Sequence, residues 1–395
     1  MKITGLFYLS LLSAVAALAI VQQGAAQVPC GPTITPPATL LVNWPQFQFD
    51  PRHSGCNPYE HILSPANVGE LTRLWVVATG FGSTPSVANG LLYTGSSDFN
   101  LYALNATTGA LVWKYKTNNQ VQSSAAVANG IVYFGSDDFS VYAVKASTGA
   151  LLWTYATGSF VTSSPVVSNG IVFIGSFDGN LYALNANTGV LLWKYTTGGI
   201  IDSSPAVANG SVYFGSDDHN VYGLNASTGV PLWKYTTGGA VDSSPSVSGG
   251  KVFIGSNDGN LYALDAADGT VRWEHQTGNP VYSSSPSVAN GVVYFGSGAP
   301  FSPGTVSAFN AATGSVIWQF MTGNEPAIFP AVANGVVYIG SADDYLYALE
   351  AKTGAILWNQ STGASIGPAA TVVNGKIYIE NSGASLLVYG LPTEP

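Results

Sequence analysis

One tryptophan recurs along the whole chain, at Trp75, Trp113, Trp153, Trp193, Trp233, Trp273, Trp318 and Trp358, with spacings of 38, 40, 40, 40, 40, 45 and 40 residues. A period near 40 constrains the fold more than any local propensity. A unit of that length cannot bury both of its faces alone, so it must stack on its neighbours. Residues 201–238, IDSSPAVANGSVYFGSDDHNVYGLNASTGVPLWKYTTG, represent the unit. Short runs of β-branched and aromatic residues lie between Gly, Asn and Asp turns. They predict strand A over Asp202–Val207, strand B over Ser211–Gly215, strand C over Val221–Asn225 and strand D over Leu232–Tyr235. Asn209-Gly210 supplies the positive φ angles of a tight A–B hairpin.

Four short strands per 40 residues, repeated, describe a propeller blade. Strand-B segments occur at Leu91–Gly95, Ile131–Gly135, Ile171–Gly175, Ser211–Gly215, Lys251–Gly255, Val292–Gly296, Val336–Gly340 and Lys376–Glu380, which makes eight blades. The last unit ends with strand C at Leu386–Leu391 and lacks strand D. At the other end, Leu71–Thr79 reads as a strand D with no A to C before it. Joining the two completes the eighth blade and removes the free sheet edges. The expected fold is all-β, an eight-bladed β-propeller of four-stranded antiparallel blades, over residues 71–395. Residues 27–70 form an N-terminal arm.

Charge narrows the function. Charged residues are 8% of the chain, against about 25% in an average globular protein, and the net charge is −9. No Lys/Arg cluster exists, which argues against nucleic acid or anionic lipid as the main partner. At the N-terminus Lys2, an apolar run over Ile3–Val21 and the small residues Gly24-Ala25-Ala26 read as an export signal, residues 1–26, cleaved after Ala26. The alternative is an uncleaved anchor, since the run is almost long enough to span. The expected location is periplasmic or extracellular, with no membrane span after cleavage and a monomeric chain. Export allows the two cysteines, Cys30 and Cys56, to pair; two free thiols are the alternative.

A denser motif runs through the units, A-x-[DN]-x-x-T-G-x-x-x-W. It is Ala103, Asn105, Thr108, Gly109, Trp113, and again Ala183, Asn185, Thr188, Gly189, Trp193, and Ala308, Asn310, Thr313, Gly314, Trp318. Other copies drift: Gly223 replaces Ala, Lys145 or Glu350 replaces Asn, and Asp268 replaces Thr. This resembles the tryptophan-docking motif of the pyrroloquinoline-quinone (PQQ) dehydrogenase propellers and of the PQQ-like repeats named after them, over roughly residues 43–391. The segment Trp44-Pro45-Gln46-Phe47, with Asp50-Pro51-Arg52-His53-Ser54-Gly55, is similar to the entry segment of small secreted members. The resemblance implies a structural role for the eight tryptophans and for Gly109, Gly149, Gly189, Gly229, Gly269, Gly314 and Gly354. Gly takes a left-handed turn between strands C and D, Thr and Asn cap it, and Trp packs between blades.

Fold does not carry function, and the resemblance leaves two outcomes. Long quinoprotein dehydrogenases bind PQQ and calcium and oxidise alcohols or sugars. Short members of the BamB type are binding scaffolds. The cysteine pair of the dehydrogenases is absent here. The only sizeable insertion is Gly298–Gly304 in the sixth blade. Three residues before the strand-A proline the blades carry Gly82, Gln122, Thr162, Asp202, Asp242 and Ser283, with Ala327 and Gly367 aligned in the last two. Asp202 and Asp242 thus fall in adjacent blades at one rim, as a candidate cation site or as acceptors of the Ser-Ser backbone below them. No Lys or Arg matches the slot, so nothing there would hold the carboxylates of PQQ.

The acidic residues 98, 138, 178, 218, 258 and 344 read as turn caps rather than a metal array. Phe99, Phe139, Phe160, Phe177, Tyr282, Phe301 and Tyr345, with Gln122 and His219, are candidate rim contacts. His53 and His61 match no metal-ligand spacing, and the Ser-Ser-Pro runs recur in nearly every blade as scaffold. The expected function is a non-catalytic scaffold for a protein, peptide or glycan, with no catalytic residues and no cofactor. The alternative is a small quinoprotein dehydrogenase using PQQ and calcium.

Overall fold

In a computed structural model of the chain, residues 42–80, 82–278, 281, 284–298, 302–324 and 329–392 are described. The export signal, Cys30, Tyr282, Ser283, Phe301 and Ala327 lie outside them. The strands form eight antiparallel blades, each in the order A-B-C-D from the axis outwards. Neighbouring A strands adjoin all the way round, including the first and eighth blades. In the fourth blade the strands are Ala206–Ala208, Ser211–Ser216, Asn220–Asn225 and Pro231–Thr236. The eighth blade joins Thr371–Val373, Lys376–Asn381 and Ser385–Gly390 to the N-terminal strand Thr72–Ala78, in register from Thr72 opposite Gly390 to Ala78 opposite Ser385. Among the described residues no helix is long and apolar enough to cross a membrane.

Strand A is shorter than the sequence predicts, beginning at Ala206 rather than Asp202. Pro205 has no N–H to give to a ladder, and the serines before it bond through their side chains instead. Ser203 Oγ accepts the Gly215 amide of its own blade at 3.0 Å. The second serine accepts from the blade before: Ser204 Oγ takes the Ser164 amide at 2.8 Å, and Ser244 Oγ takes that of Ser204 at 2.9 Å. The same bond joins Thr84 to Ser124 and Ala369 to Thr84, so it crosses the closure seam. These serines are scaffold.

The blades dock through the recurrent tryptophans. Trp153 Nε1 donates to the Ala186 carbonyl of the next blade at 2.9 Å, and Trp75, Trp113, Trp193, Trp233, Trp273 and Trp318 make the equivalent bond. Trp358 lies edge-on to Tyr389. Gly189 shows why the motif glycine is there. Its φ is +69°, and a Cβ on it would sit 2.7 Å from the ring of Trp153.

The B–C turns form a second latch. Asp178 Oδ2 accepts both the Tyr182 hydroxyl and the Gly158 amide, the latter from the loop after the preceding strand D. Burial alone raises this carboxyl; Tyr182, Gly158 and Asn180 outweigh it and hold it below its ordinary range. In the seventh blade Asp343 plays this part, not Asp344 as the repeat spacing predicts. Asp344 takes the left-handed position one residue on, at φ +72°.

The arm closes one end of the channel. Trp44 and Val87 of the first blade exchange backbone bonds. The strand-A amides of Val127, Val207, Val247, Val288 and Val332 then donate to the carbonyls of Pro45, Pro51, Arg52, Ser54 and Gly55. Val167 in the third blade donates to the Gln46 side chain, and in the eighth the Asn57 side-chain amide reaches the Val372 carbonyl. The single segment 44–57 thus visits all eight blades in order. Each bond occupies a group on an innermost strand edge that would otherwise lack a partner. Gly55 permits the close approach: a Cβ there would overlap Ser287 Oγ at 2.0 Å. His53 is wholly buried edge-on to Phe47, and burial lowers it to about 4, so it is neutral. His61 is exposed. Cys56 is disulfide-bonded.

Candidate functional site

The opposite end of the channel is open, and there the blades differ. From the level of the arm at Val207 to Asp202 is about 16 Å of extended chain. In each blade the residue before the two serines faces the residue 15 positions later, just past strand B. Gln122 Nε2 donates to Asp137 Oδ2 at 2.6 Å, and Asn257 Nδ2 to Asp242 Oδ2 at 2.8 Å. The same register places Asp202 with Asp217 and Thr162 with Phe177. Between blades, the Thr162 hydroxyl donates to Asp202 Oδ1. Asp202 and Asp242 therefore bond to neighbouring side chains, and not to the Ser-Ser backbone.

A cavity of about 460 Å³ opens here, lined by Gly82, Gln122, Asp137, Phe160, Thr162, Phe177 and Asp202. Four carboxylates gather at it and beside it, those of Asp137, Asp202, Asp217 and Asp242. Burial raises Asp202, with Asp242 adding to it. Asp137 is raised by burial and by Asp138, against the lowering effect of Gln122. Asp217 is pushed up to about 8, first by burial and then by its contact with Asp242. Two such groups in contact cannot both ionise cheaply, so the pair retains a proton near neutrality.

Acceptors outnumber donors. Asp137 is 8% exposed, and its Oδ1 has no hydrogen-bond partner. Asp217 Oδ1 and Asn257 Oδ1 are buried and unpartnered as well. No Lys or Arg lines the cavity. Among the described residues no three His, Cys, Asp or Glu side chains converge closely enough to hold a metal ion. Asp202 and Asp242 thus do not form a metal centre with their acidic neighbours in this arrangement.

Aromatic rings form the wall and rim. Phe139 meets Phe160 edge-on with centroids 5.2 Å apart, and Phe160 meets Phe177 at 6.0 Å. Phe139 is 43% exposed and Phe160 40%. Phe139 has φ +70°, as do its counterparts Phe99, at +74°, and His219, at +70°. The third and fifth blades place Gly179 and Gly259 at this position. A large side chain in the left-handed region is strained, and such strain concentrates at functional surfaces. Tyr345 is exposed on the seventh blade beside Tyr347, apart from this cluster.

Sequence reasoning missed Asp137 and Asp217. Their signal is the doubled aspartate at 137–138 and 217–218, where one carboxylate latches the turn and the other is left for the channel. Only the hairpin register places that other one opposite Gln122 or Asp202.

The family model described as outer membrane protein assembly factor BamB matches residues 66–199, 178–300 and 302–390. Solved structures of the same fold include BamB from Moraxella catarrhalis, with 20% identity and a TM-score of 0.69, covering 82% of this chain and 99% of that one. The quinohemoprotein alcohol dehydrogenase from Comamonas testosteroni superposes with a TM-score of 0.75 at 17% identity, covering 89% and 81%. A computationally designed protein, Ika8, gives a TM-score of 0.71 at 18% identity, covering 80% and 98%. No curated protein sequence matches the chain. At these identities the likenesses carry the fold alone.

Proposed function

The chain belongs to the PQQ-like repeat family whose model is described as outer membrane protein assembly factor BamB, and from that premise we propose that it is an exported, non-catalytic binding propeller that takes a protein partner on its open rim. One observation carries this reading. The channel is closed at one end by the arm and ends at the other in an acidic mouth bordered by exposed, strained aromatic side chains. A rim of aromatic anchors around a polar pocket is suited to recognition. The family description points the same way, since an assembly factor acts by binding.

The second reading, a quinoprotein dehydrogenase, draws on the likeness to the alcohol dehydrogenase fold. The residues at the mouth do not fit PQQ. That cofactor carries three carboxylates and needs cations to hold them, whereas the cavity presents Asp137 and Asp202 and no Lys or Arg. Placing an anion among carboxylates already raised by burial and by one another is unfavourable.

Export supports a periplasmic or extracellular site of action, and the N-terminal apolar segment carries that part of the proposal. The reading is tested by titrating the mature protein with PQQ, with and without calcium, following cofactor absorbance and thermal melting. The expected result is no saturable binding at tens of micromolar. Saturable, calcium-dependent binding with a raised melting temperature overturns it.

A further inference from the structure

We propose that the open mouth recognises a basic side chain of a peptide partner, an arginine or lysine whose cationic head meets Asp137 and Asp202 and whose stem lies against Phe160 and Phe177. The proposal rests on the binding reading above and names its ligand class.

The first argument is the imbalance of hydrogen-bonding groups. Asp137 Oδ1, in a side chain 8% exposed, has no donor, and Asp217 Oδ1 and Asn257 Oδ1 share its state. Buried acceptors without donors are costly. A ligand that brings several N–H groups and a positive charge relieves that cost; one that brings acceptors or negative charge adds to it. Guanidinium offers five donors in a fixed fork and ammonium three.

The second argument separates an organic cation from a metal ion. A bare ion needs its oxygens converging on one point, and the described acidic side chains do not so converge. An ion with its donors spread over several atoms can reach acceptors that stand apart.

The third argument is the wall. Phe160 and Phe177 line the same cavity as Asp137 and Asp202. A methylene stem packs on such rings, and a cation over a ring face is attracted by its quadrupole. The aromatic row continues outward to Phe139, beyond the cavity and strained where two sister blades have glycine. That extension suits a ligand whose chain runs on across the rim, which a free amine does not do.

The test uses the mature full-length protein and fluorescein-labelled acetyl-Gly-Ser-Arg-Ser-Gly-amide, read by fluorescence anisotropy at low salt. The control peptide carries citrulline, which keeps the shape and loses the charge. Saturable binding is expected, at least about tenfold weaker for citrulline and weakened by added salt. Asp137→Asn is expected to lower affinity about tenfold while leaving the melting temperature within a few degrees. Phe160→Ala, at an exposed ring, is the second variant should Asp137→Asn fold poorly, and it is expected to weaken binding several-fold. Equal binding of the two peptides, no binding up to millimolar concentration, or full affinity in both variants overturns the proposal. Competition by free arginine amide as tight as the peptide overturns the peptide part. Failure here leaves the binding-propeller reading standing, because only the PQQ titration bears on that.

Discussion

Trp44 and Val87 exchange both main-chain hydrogen bonds, at 2.7 and 2.8 Å, and so fasten the arm to the first blade before it runs on round the other seven. Trp44 is 1% exposed and lies edge-on to Phe49. Trp44→Ala is therefore expected to cost about 3–5 kcal/mol, the range for truncating a buried aromatic. Trp44→Phe should cost much less, because the buried indole N–H it removes has no partner. Denaturant unfolding of the two variants checks this. Equal losses would mean that the arm is held by something other than packing at Trp44.

The motif glycines separate two demands that usually coincide. Gly189 has a left-handed φ and also touches Trp153, whereas Gly210 has φ +78° and open space, with nothing within 4 Å of the point a Cβ would occupy. Gly210→Ala is expected to cost about 1–2 kcal/mol, from backbone strain alone. Gly189→Ala should exceed it by at least about 1 kcal/mol, because the docked indole must shift. Paired urea titrations measure the difference.

Glu380 stands where most other blades have glycine at the end of strand B. It is fully buried at the closure seam, with Thr94 and the Gly82 amide on its carboxyl. Burial raises it to about 8 from an ordinary 4.5. A carboxyl raised on folding binds its proton more tightly in the native state. Its contribution is full below its ordinary pKa and is lost as pH rises through the folded value. His53 acts on the other side. Its folded value is lowered to about 4, so its contribution is lost as pH falls from 6.5 toward 4. The wild-type melting temperature is expected to decline between pH 6 and 9, and Glu380→Gln to flatten that decline. Parallel slopes for the two proteins would exclude Glu380 as the cause.

His219 tests whether rim strain is stored for use. It sits exposed at φ +70°, where the neighbouring blades have Gly179 and Gly259. Relief of left-handed strain outweighs the greater unfolded-state freedom of glycine. His219→Gly is therefore expected to raise stability by about 0.5–1 kcal/mol. A loss of stability by chemical denaturation would show that the histidine is held by contacts that offset its backbone strain.

The architecture was legible in the sequence because each blade repeats the same local chemistry. Asn-Gly at 209–210 sets a hairpin, Thr-Gly at 228–229 sets the next turn, and Trp233 marks the outer strand. Repetition at a period of 40 then leaves a ring as the way to bury every face, and the split between Leu71–Thr79 and the last blade shows where it closes. Asp343 and Asp344 show the limit of reading by spacing. Both are aspartates, and only the hydrogen bond from Tyr347 identifies the one that latches the turn.

What the sequence determined by itself is the scaffold, since local turn propensities and a regular apolar period agree at every blade and require no knowledge of distant partners. The tertiary structure alone decided the two ends of the channel. Asp137, Asp202 and Asp242 come from three different blades and gather only because the ring brings their strand ends to one axis. The arm has no periodicity of its own to announce its path. Its course follows from strand-A amides such as those of Val127, Val207 and Val288, which lack ladder partners until the blades are assembled and then dictate where a passing carbonyl must lie.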